Sequence, residues 1–245
     1  MMEAIFITAR LKSTRLAKKV LIEMNGHPVL HYLVQRLKFN YNGKIVLCTS
    51  TNAQDDELVN FSKNENIEIF RGSEEDVIER YYAACSKFKI TSFYICYGDE
   101  PFIDFDIIRK NFILLKNQRK IWINNSNSID GTFGYGMTFN AIEYANEKKT
   151  SVNNEVWGKM LSAMDIEEIK PLAPYKAIDK NTVRLTIDYP EDLEVFRSIL
   201  SQIGDKYVSL KIPEIVDYYK KLNLFKINGL RIIDYYKRIE LQTKS

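Results

Sequence analysis

Between Arg10 and Lys19 the chain crowds charged and hydroxyl side chains into one short stretch: Arg10, Lys12, Ser13, Thr14, Arg15, Lys18 and Lys19. Such a stretch, with its free backbone N–H groups, could hold an anion. Directly before it, Ala4 to Thr8 (AIFIT) is an unbroken apolar run of the kind buried on both faces in a parallel sheet. Open α/β sheets place their ligands at the carboxyl ends of strands, so the basic stretch falls where a polyphosphate would lie. Composition alone allows a solvated basic loop, since about a quarter of an average chain is charged. Its place after a strand favours the anion site. Two aspartates end other apolar runs: Asp99 follows Ser92 to Tyr97 (SFYICY), and Asp188 closes Val183 to Asp188 (VRLTID). Opposite a basic loop, two carboxylates suit a hard divalent cation, and magnesium takes only one or two when a nucleotide supplies the remaining oxygens. Either Asp taken singly could instead be a turn former or helix cap.

Positioning these groups requires strands alternating with helices. After the basic loop, Pro28 is placed as a first helical residue, with Val29, Leu30, Leu33, Val34 and Leu37 at helical spacing. A strand at Lys44 to Ser50 precedes a helix near residues 54–64 with acids in its first turn. IEIF forms a short strand, and Ser73 is read as the cap of a helix burying Val77, Ile78, Tyr81, Cys85 and Phe88. The strand ending at Tyr97, a helix over residues 104–116 and a strand around KIWIN come next. Residues 128–173 read as strand, helix, helix, strand. VRLTID restores a buried strand, and Pro190 starts a helix whose inner face is Leu193, Phe196, Ile199, Leu200 and Ile203. This alternation specifies an α/β fold with a mostly parallel sheet, whose strand-end loops would bring Arg10, Lys19, Asp99 and Asp188 to one cleft.

The bulk properties narrow the class of protein. At 245 residues the chain is expected to form one domain. With 35 basic and 32 acidic residues it is nearly balanced, so no nucleic-acid or membrane partner is expected. Cys48, Cys85 and Cys96 lie far apart in apolar runs, as reduced core thiols would, and a cytoplasmic location is expected. Walker A and the dinucleotide glycine pattern are both missing after the first strand, which argues against P-loop kinases and nicotinamide dehydrogenases. His27 and His31 lack the glutamate of a zinc-protease pair and are read as structural.

With these residues in place, the sequence resembles the CMP-sugar-acid synthetase superfamily of cytidylyltransferases, in particular its spore coat polysaccharide branch. The resemblance rests on five blocks in order: ARLKSTRLAKKVL, FRGSEEDVIERYY, GDEPFID, GYG and VRLTIDYPEDLE. It implies a three-layer α/β/α fold of Rossmann-like and GT-A-like type. It further implies CTP phosphates bound by the first loop, at Ala9, Arg10, Ser13, Arg15 and Lys19, with Gly98, Arg71 and Ser73 near the nucleotide. Asp99 and Asp188 match magnesium-binding aspartates, and Arg10 and Lys19 would act with them in catalysis. The implied reaction is attack by an acidic acceptor on the α-phosphorus of CTP, releasing pyrophosphate.

This chain departs from the family pattern at two places. Ala17-Lys18 replaces the usual Pro-Gly, so either Lys18 or Lys19 could reach the phosphates, with Lys19 at the matching position. The acceptor region, around Tyr135 and Gly136 and then Glu155 to Lys159, also differs from the branch, and Lys159 could pair with an acceptor carboxylate or phosphate. Relatives imply a homodimer joined through residues 128–173. Two alternatives are a GT-A glycosyltransferase, for which Asp104-Phe105-Asp106 would be the metal motif, and a non-catalytic nucleotide-binding homologue. Helix capping explains Asp104 better.

Overall fold

A computed structural model describes residues 2–152, 157–172 and 174–244, apart from the side chains of 159 and 236–244. Strand β1 (Glu3–Thr8) leads through the basic loop to a hairpin of β2 (Glu23–Met24) and β3 (His27–Pro28). Asn25 and Gly26 turn that hairpin with positive φ values of 50° and 82°, as its two-residue loop demands. Next come α1 (Val29–Asn40), β4 (Lys44–Ser50), α2 (Asp56–Asn64), β5 (Glu68–Gly72), α3 (Val77–Phe88), β6 (Ser92–Tyr97) and α4 (Phe105–Leu115). Then follow β7 (Ile121–Asn124), β8 (Tyr135–Thr138), α5 (Phe139–Lys148), α6 (Trp157–Ser162), β9 (Glu167–Ile169), α7 (Pro190–Ile203), α8 (Ile212–Lys221) and α9 (Phe225–Lys244).

Seven strands form one sheet in the order β5-β4-β1-β6-β8-β7-β9. Its ladders are parallel except on the two sides of β8, which runs antiparallel to β6 and β7. Successive residues of β1 explain the layering. Ala4 and Phe6 face a core shared with α3, α5 and α6, whereas Ile5 and Ile7 face one shared with α1, α2 and α4. The result is the expected three-layer α/β/α arrangement. Helices α7 and α8 build a further core with Met24, Val29, Tyr32 and Phe102 beside it.

Three local expectations need correction. VRLTID is not a strand: it bends at Thr186 and Asp188, and its one ladder contact is an isolated bridge from Arg184 to Asp130. Its N–H groups go elsewhere, Leu185 to the Asp130 carbonyl and Ile187 to the Asp99 carbonyl, both at 2.9 Å. Ser73 does not cap α3; Asp76 does, accepting from the Glu79 N–H at 2.9 Å, while the Ser73 hydroxyl accepts from the Asp76 N–H one turn earlier. Pro28 precedes α1 as its cap because it is still paired in the β2–β3 hairpin. The strand, helix, helix, strand reading of residues 128–173 matches β8, α5, α6 and β9. Cys48, Cys85 and Cys96 are buried free thiols, and burial pushes Cys48 up to about 12.

Candidate active site

The ends of β1, β4 and β6 are tied together before any side chain reaches out. Gly98 donates its N–H to the Thr8 carbonyl at 2.9 Å, and Ala9 donates to the Cys48 carbonyl at 3.3 Å. A Cβ on Gly98 would stand 2.9 Å from that of Ala9, so only glycine permits this approach. The buried Asp55, ahead of α2, fixes the start of the basic loop. One carboxylate oxygen accepts the Leu11 N–H at 2.7 Å and the other accepts the Ser50 hydroxyl at 2.5 Å. Further along, the Ser13 hydroxyl accepts from the Leu16 N–H at 3.4 Å.

Lys18 and Lys19 diverge at the end of this loop. Lys18 adopts a left-handed conformation, φ 48°, as the residue before a short 3-10 turn at Lys19–Leu21. Its ammonium lies outside and donates to Glu57 at 2.5 Å. The Lys19 ammonium turns inward and donates to both Asp99 and Asp188, the latter at 2.7 Å. Arg15 donates to the same Asp188 oxygen. Burial opposes the charge on Lys19, yet the adjacent Asp99 and Asp188 carboxylates outweigh it and raise its pKa. Burial likewise works against ionised Asp188, but Lys19 and Arg15 hold it well below the usual carboxylate range. The two aspartates meet because Ile187 donates to the backbone of Asp99.

A second shell of charge stands behind Asp188. Arg184, 1% exposed, donates to the other Asp188 oxygen at 2.7 Å, to Asp192 at 3.2 Å and to Asp130. Burial penalises this guanidinium, but Asp130, Asp192 and Asp188 together raise its pKa. Neither Asp130 nor Arg184 stood out in the sequence. The one available signal was an arginine inside an otherwise apolar run, where burial demands partners.

An open cleft of about 480 Å³ lies over the basic loop, whose Arg10, Ser13, Arg15 and Lys19 line it together with Asp99. Val77, Arg80, Tyr81, Tyr97 and Trp157 also line it. Arg80 is 2% exposed; it donates to the Ser73 carbonyl at 2.9 Å, while its Nε has no partner among the described residues. Arg80 is a cleft residue that stood out nowhere in the sequence, whereas Trp157 belongs to the run of residues 155–159 expected to line the acceptor pocket.

The remaining candidates are dispersed. Arg10 donates to the Glu74 carbonyl at 3.0 Å, and Lys12 pairs with the Glu74 carboxylate at 3.2 Å, which joins the basic loop to the turn before α3. Arg71 does not line the cleft; it bonds the Ser50 and Asn52 carbonyls at 2.9 Å and pairs with Asp56. Ser73 also lies outside the lining. Tyr135 packs edge-on against Trp157 at 5.0 Å between ring centroids. Gly136 is buried in β8, where a Cβ would meet the Asn111 side chain at 2.5 Å. Glu155 and the Lys159 side chain fall outside the described residues. Asp104 caps α4 by accepting from the Asp106 N–H at 2.8 Å, as expected.

A cytidylyltransferase family model matches residues 4–194 of the chain. A cytidylyltransferase from Leptospira borgpetersenii serovar Hardjo-bovis is 25% identical and superposes with a TM-score of 0.83, covering 93% of this chain and 98% of its own. The spore coat polysaccharide biosynthesis protein SpsF of Bacillus subtilis is 32% identical over 107 residues, 42% of this chain and 45% of its own length. The fold is shared with a CMP:2-keto-3-deoxy-manno-octonic acid synthetase solved with CTP, 14% identical with a TM-score of 0.60 over 82% of this chain and 99% of that one. Since the family match spans most of a chain that brings a basic loop and Asp99 to one cleft, with Asp188 joined to them through Lys19, the protein belongs to the cytidylyltransferase family, as a CTP-dependent nucleotidyltransferase.

Proposed function

We propose that this protein transfers CMP from CTP to an acidic sugar or related acid, in the cytoplasm, for surface polysaccharide or glycoconjugate assembly. The observation that carries this reading is the Lys19 ammonium held between Asp99 and Asp188 at the end of the basic loop. Two carboxylates already converge on one cation there, and their hard oxygens fit a divalent ion. No group of three or more side chains of the metal-binding types converges among the described residues, so such an ion would rest on Asp99, Asp188 and substrate oxygens. Magnesium is the ion we assign. When bound, it supplies charge neutralisation at the phosphates and lowers the pKa of a coordinated oxygen.

The chain's own residues do the positioning. Arg10, Arg15 and Lys19, with the Ser13 hydroxyl, cradle the triphosphate above Ala9 and Gly98, whose N–H groups are spent on the sheet and which serve as floor, and Lys19 moves from the carboxylates to phosphate oxygens. The acceptor oxygen attacks the α-phosphorus while the bond to the β-phosphate oxygen breaks. Pyrophosphate then departs with the electron pair, its charge met by Lys19 and Arg10. Arg80 lines the same cleft and adds a buried positive charge to it. Trp157 lines the cleft and Tyr135 packs against it, which supports an acceptor subregion within residues 128–173 of one nucleotidyltransferase domain; we assign a homodimer contact to the same subregion. The name of SpsF supports the polysaccharide role, and a protein of the same fold, a CMP:2-keto-3-deoxy-manno-octonic acid synthetase, supports the acceptor class.

The test is pyrophosphate release from each nucleoside triphosphate with magnesium and a panel of ulosonic acids, sugar phosphates and phosphonates. CTP with an acidic acceptor is expected to react. In Asp99→Asn and Asp188→Asn turnover is expected to fall at least about a hundred-fold. Turnover near wild type in either variant removes its assigned role. Transfer of a sugar without pyrophosphate release would instead support a glycosyltransferase.

A further inference from the structure

We propose that Asn228, on the C-terminal helix α9, is a positioning residue for Asp188; this rests on the reading of Asp188 as a metal-binding group. Asn228 is fully buried, and its amide makes three bonds: Nδ2 donates to Asp192 at 2.9 Å and to the Arg184 carbonyl at 3.2 Å, while Oδ1 accepts the Tyr219 hydroxyl at 2.6 Å. Reversing the amide would set its oxygen against a carboxylate and a carbonyl, so these partners fix its orientation. Asp192 in turn accepts the backbone N–H groups of Asp188 at 3.0 Å and Tyr189 at 3.1 Å, together with the Arg184 guanidinium. Arg184 then grips one oxygen of Asp188 at 2.7 Å, leaving the other turned to Lys19 and Arg15.

Every link of this chain is buried and hydrogen-bonded, and it begins outside the family match, which stops at residue 194. A second contact from α9 reaches the same place. Arg231 lies 4.4 Å from the centre of the Tyr189 ring, and Arg15 of the basic loop lies 5.6 Å from it. The helix therefore braces both the backbone and the carboxylate of Asp188 from behind. Orientation of a carboxylate by buried outer partners governs how well it holds an ion.

The test measures Mn2+ affinity by electron paramagnetic resonance in the presence of CTP, and CTP affinity without metal, in full-length variants. Asn228→Ala is expected to weaken Mn2+ binding about ten-fold, with metal-free CTP binding unchanged. Tyr219→Phe, which removes only the bond to Oδ1, should shift it in the same direction by less and serves where Asn228→Ala does not fold. Ile232→Ala, a buried α9 residue outside the network, is the stability control and should leave Mn2+ affinity at the wild-type value. If the network variants match Ile232→Ala, the brace is overturned while the metal reading stands. If Asp188→Asn itself leaves Mn2+ affinity unchanged, the metal reading fails and takes the brace with it.

Discussion

Lys19 sits between two carboxylates, in the place we assign to a metal ion, and its neighbour Lys18 sits on the outside of the same loop, paired with Glu57. Hydrogen bonds between charged groups contribute about 1.5–3 kcal/mol each, and every 1.4 kcal/mol is about ten-fold in affinity. Lys19→Ala is therefore expected to weaken CTP binding, measured by calorimetry with a divalent ion present, by about ten-fold or more. Lys18→Ala should leave it within about two-fold, as for other exposed ion pairs. Equal losses in the two variants would show that the inward lysine has been misassigned. The sequence left these two lysines open because the choice turns on the left-handed φ of Lys18, a conformation uncommon for a lysine. Arg10, Arg15, Asp99 and Asp188 were legible because each follows an apolar run that ends abruptly. Asp130, Arg184 and Asn228 were not, since the bonds from Arg184 to Asp130 and from Asn228 to Arg184 and Asp192 join residues 36 to 54 positions apart.

At the scale of elements, the loop works only if its first turn is held against the sheet, and Asp55 holds it there by accepting the Leu11 N–H. Truncating it would leave the Leu11 N–H without its acceptor and the Ser50 hydroxyl without the carboxylate it donates to. A buried polar group stripped of its partner costs about 1–3 kcal/mol, so Asp55→Ala should lower unfolding stability by roughly 2–4 kcal/mol in urea titrations. CTP binding should weaken as well. Asp55→Asn keeps one acceptor and is expected to lose less; a variant as stable as wild type would show that the loop holds its own shape. Most helices and strands were readable from periodicity, because β1, β4 and β6 are buried on both faces and α1, α3 and α7 have clean apolar stripes. VRLTID misled because the same apolar pattern also serves a segment whose N–H groups bond the Asp99 and Asp130 loops instead of a neighbouring strand. The β2–β3 hairpin was legible in Asn25-Gly26 but was passed over beside the basic run.

For the whole molecule, the family match ends inside α7, yet the chain beyond α7 is built into the core. Ile212, Ile215, Val216, Tyr219, Leu224 and Ile232 are all buried, and burying such a side chain stabilises by about 1.5–3 kcal/mol. Together the six come to roughly 9–18 kcal/mol before the cost of ordering the chain, which is comparable to the whole stability of a domain, about 5–15 kcal/mol. Arg36 of α1 depends on the same segment. Its fully buried guanidinium donates to the carbonyls of Tyr207 and of Leu210, the latter at 2.8 Å, and burial lowers its pKa to about 10. Removing residues 205–245 would leave that cation holding one carbonyl, Ile103, and would uncover Tyr32 and Phe196, whose rings pack at 5.2 Å beside Tyr207. A protein ending at Gly204 is therefore expected to lose its cooperative thermal transition by calorimetry, even though it retains every residue placed in the cleft. If the shortened chain instead melts cooperatively near the wild-type temperature and binds CTP, the C-terminal helices are an accessory layer. Arg36, with two of its three carbonyl partners gone, would then have to be satisfied by water, and its pKa would rise toward the ordinary arginine value.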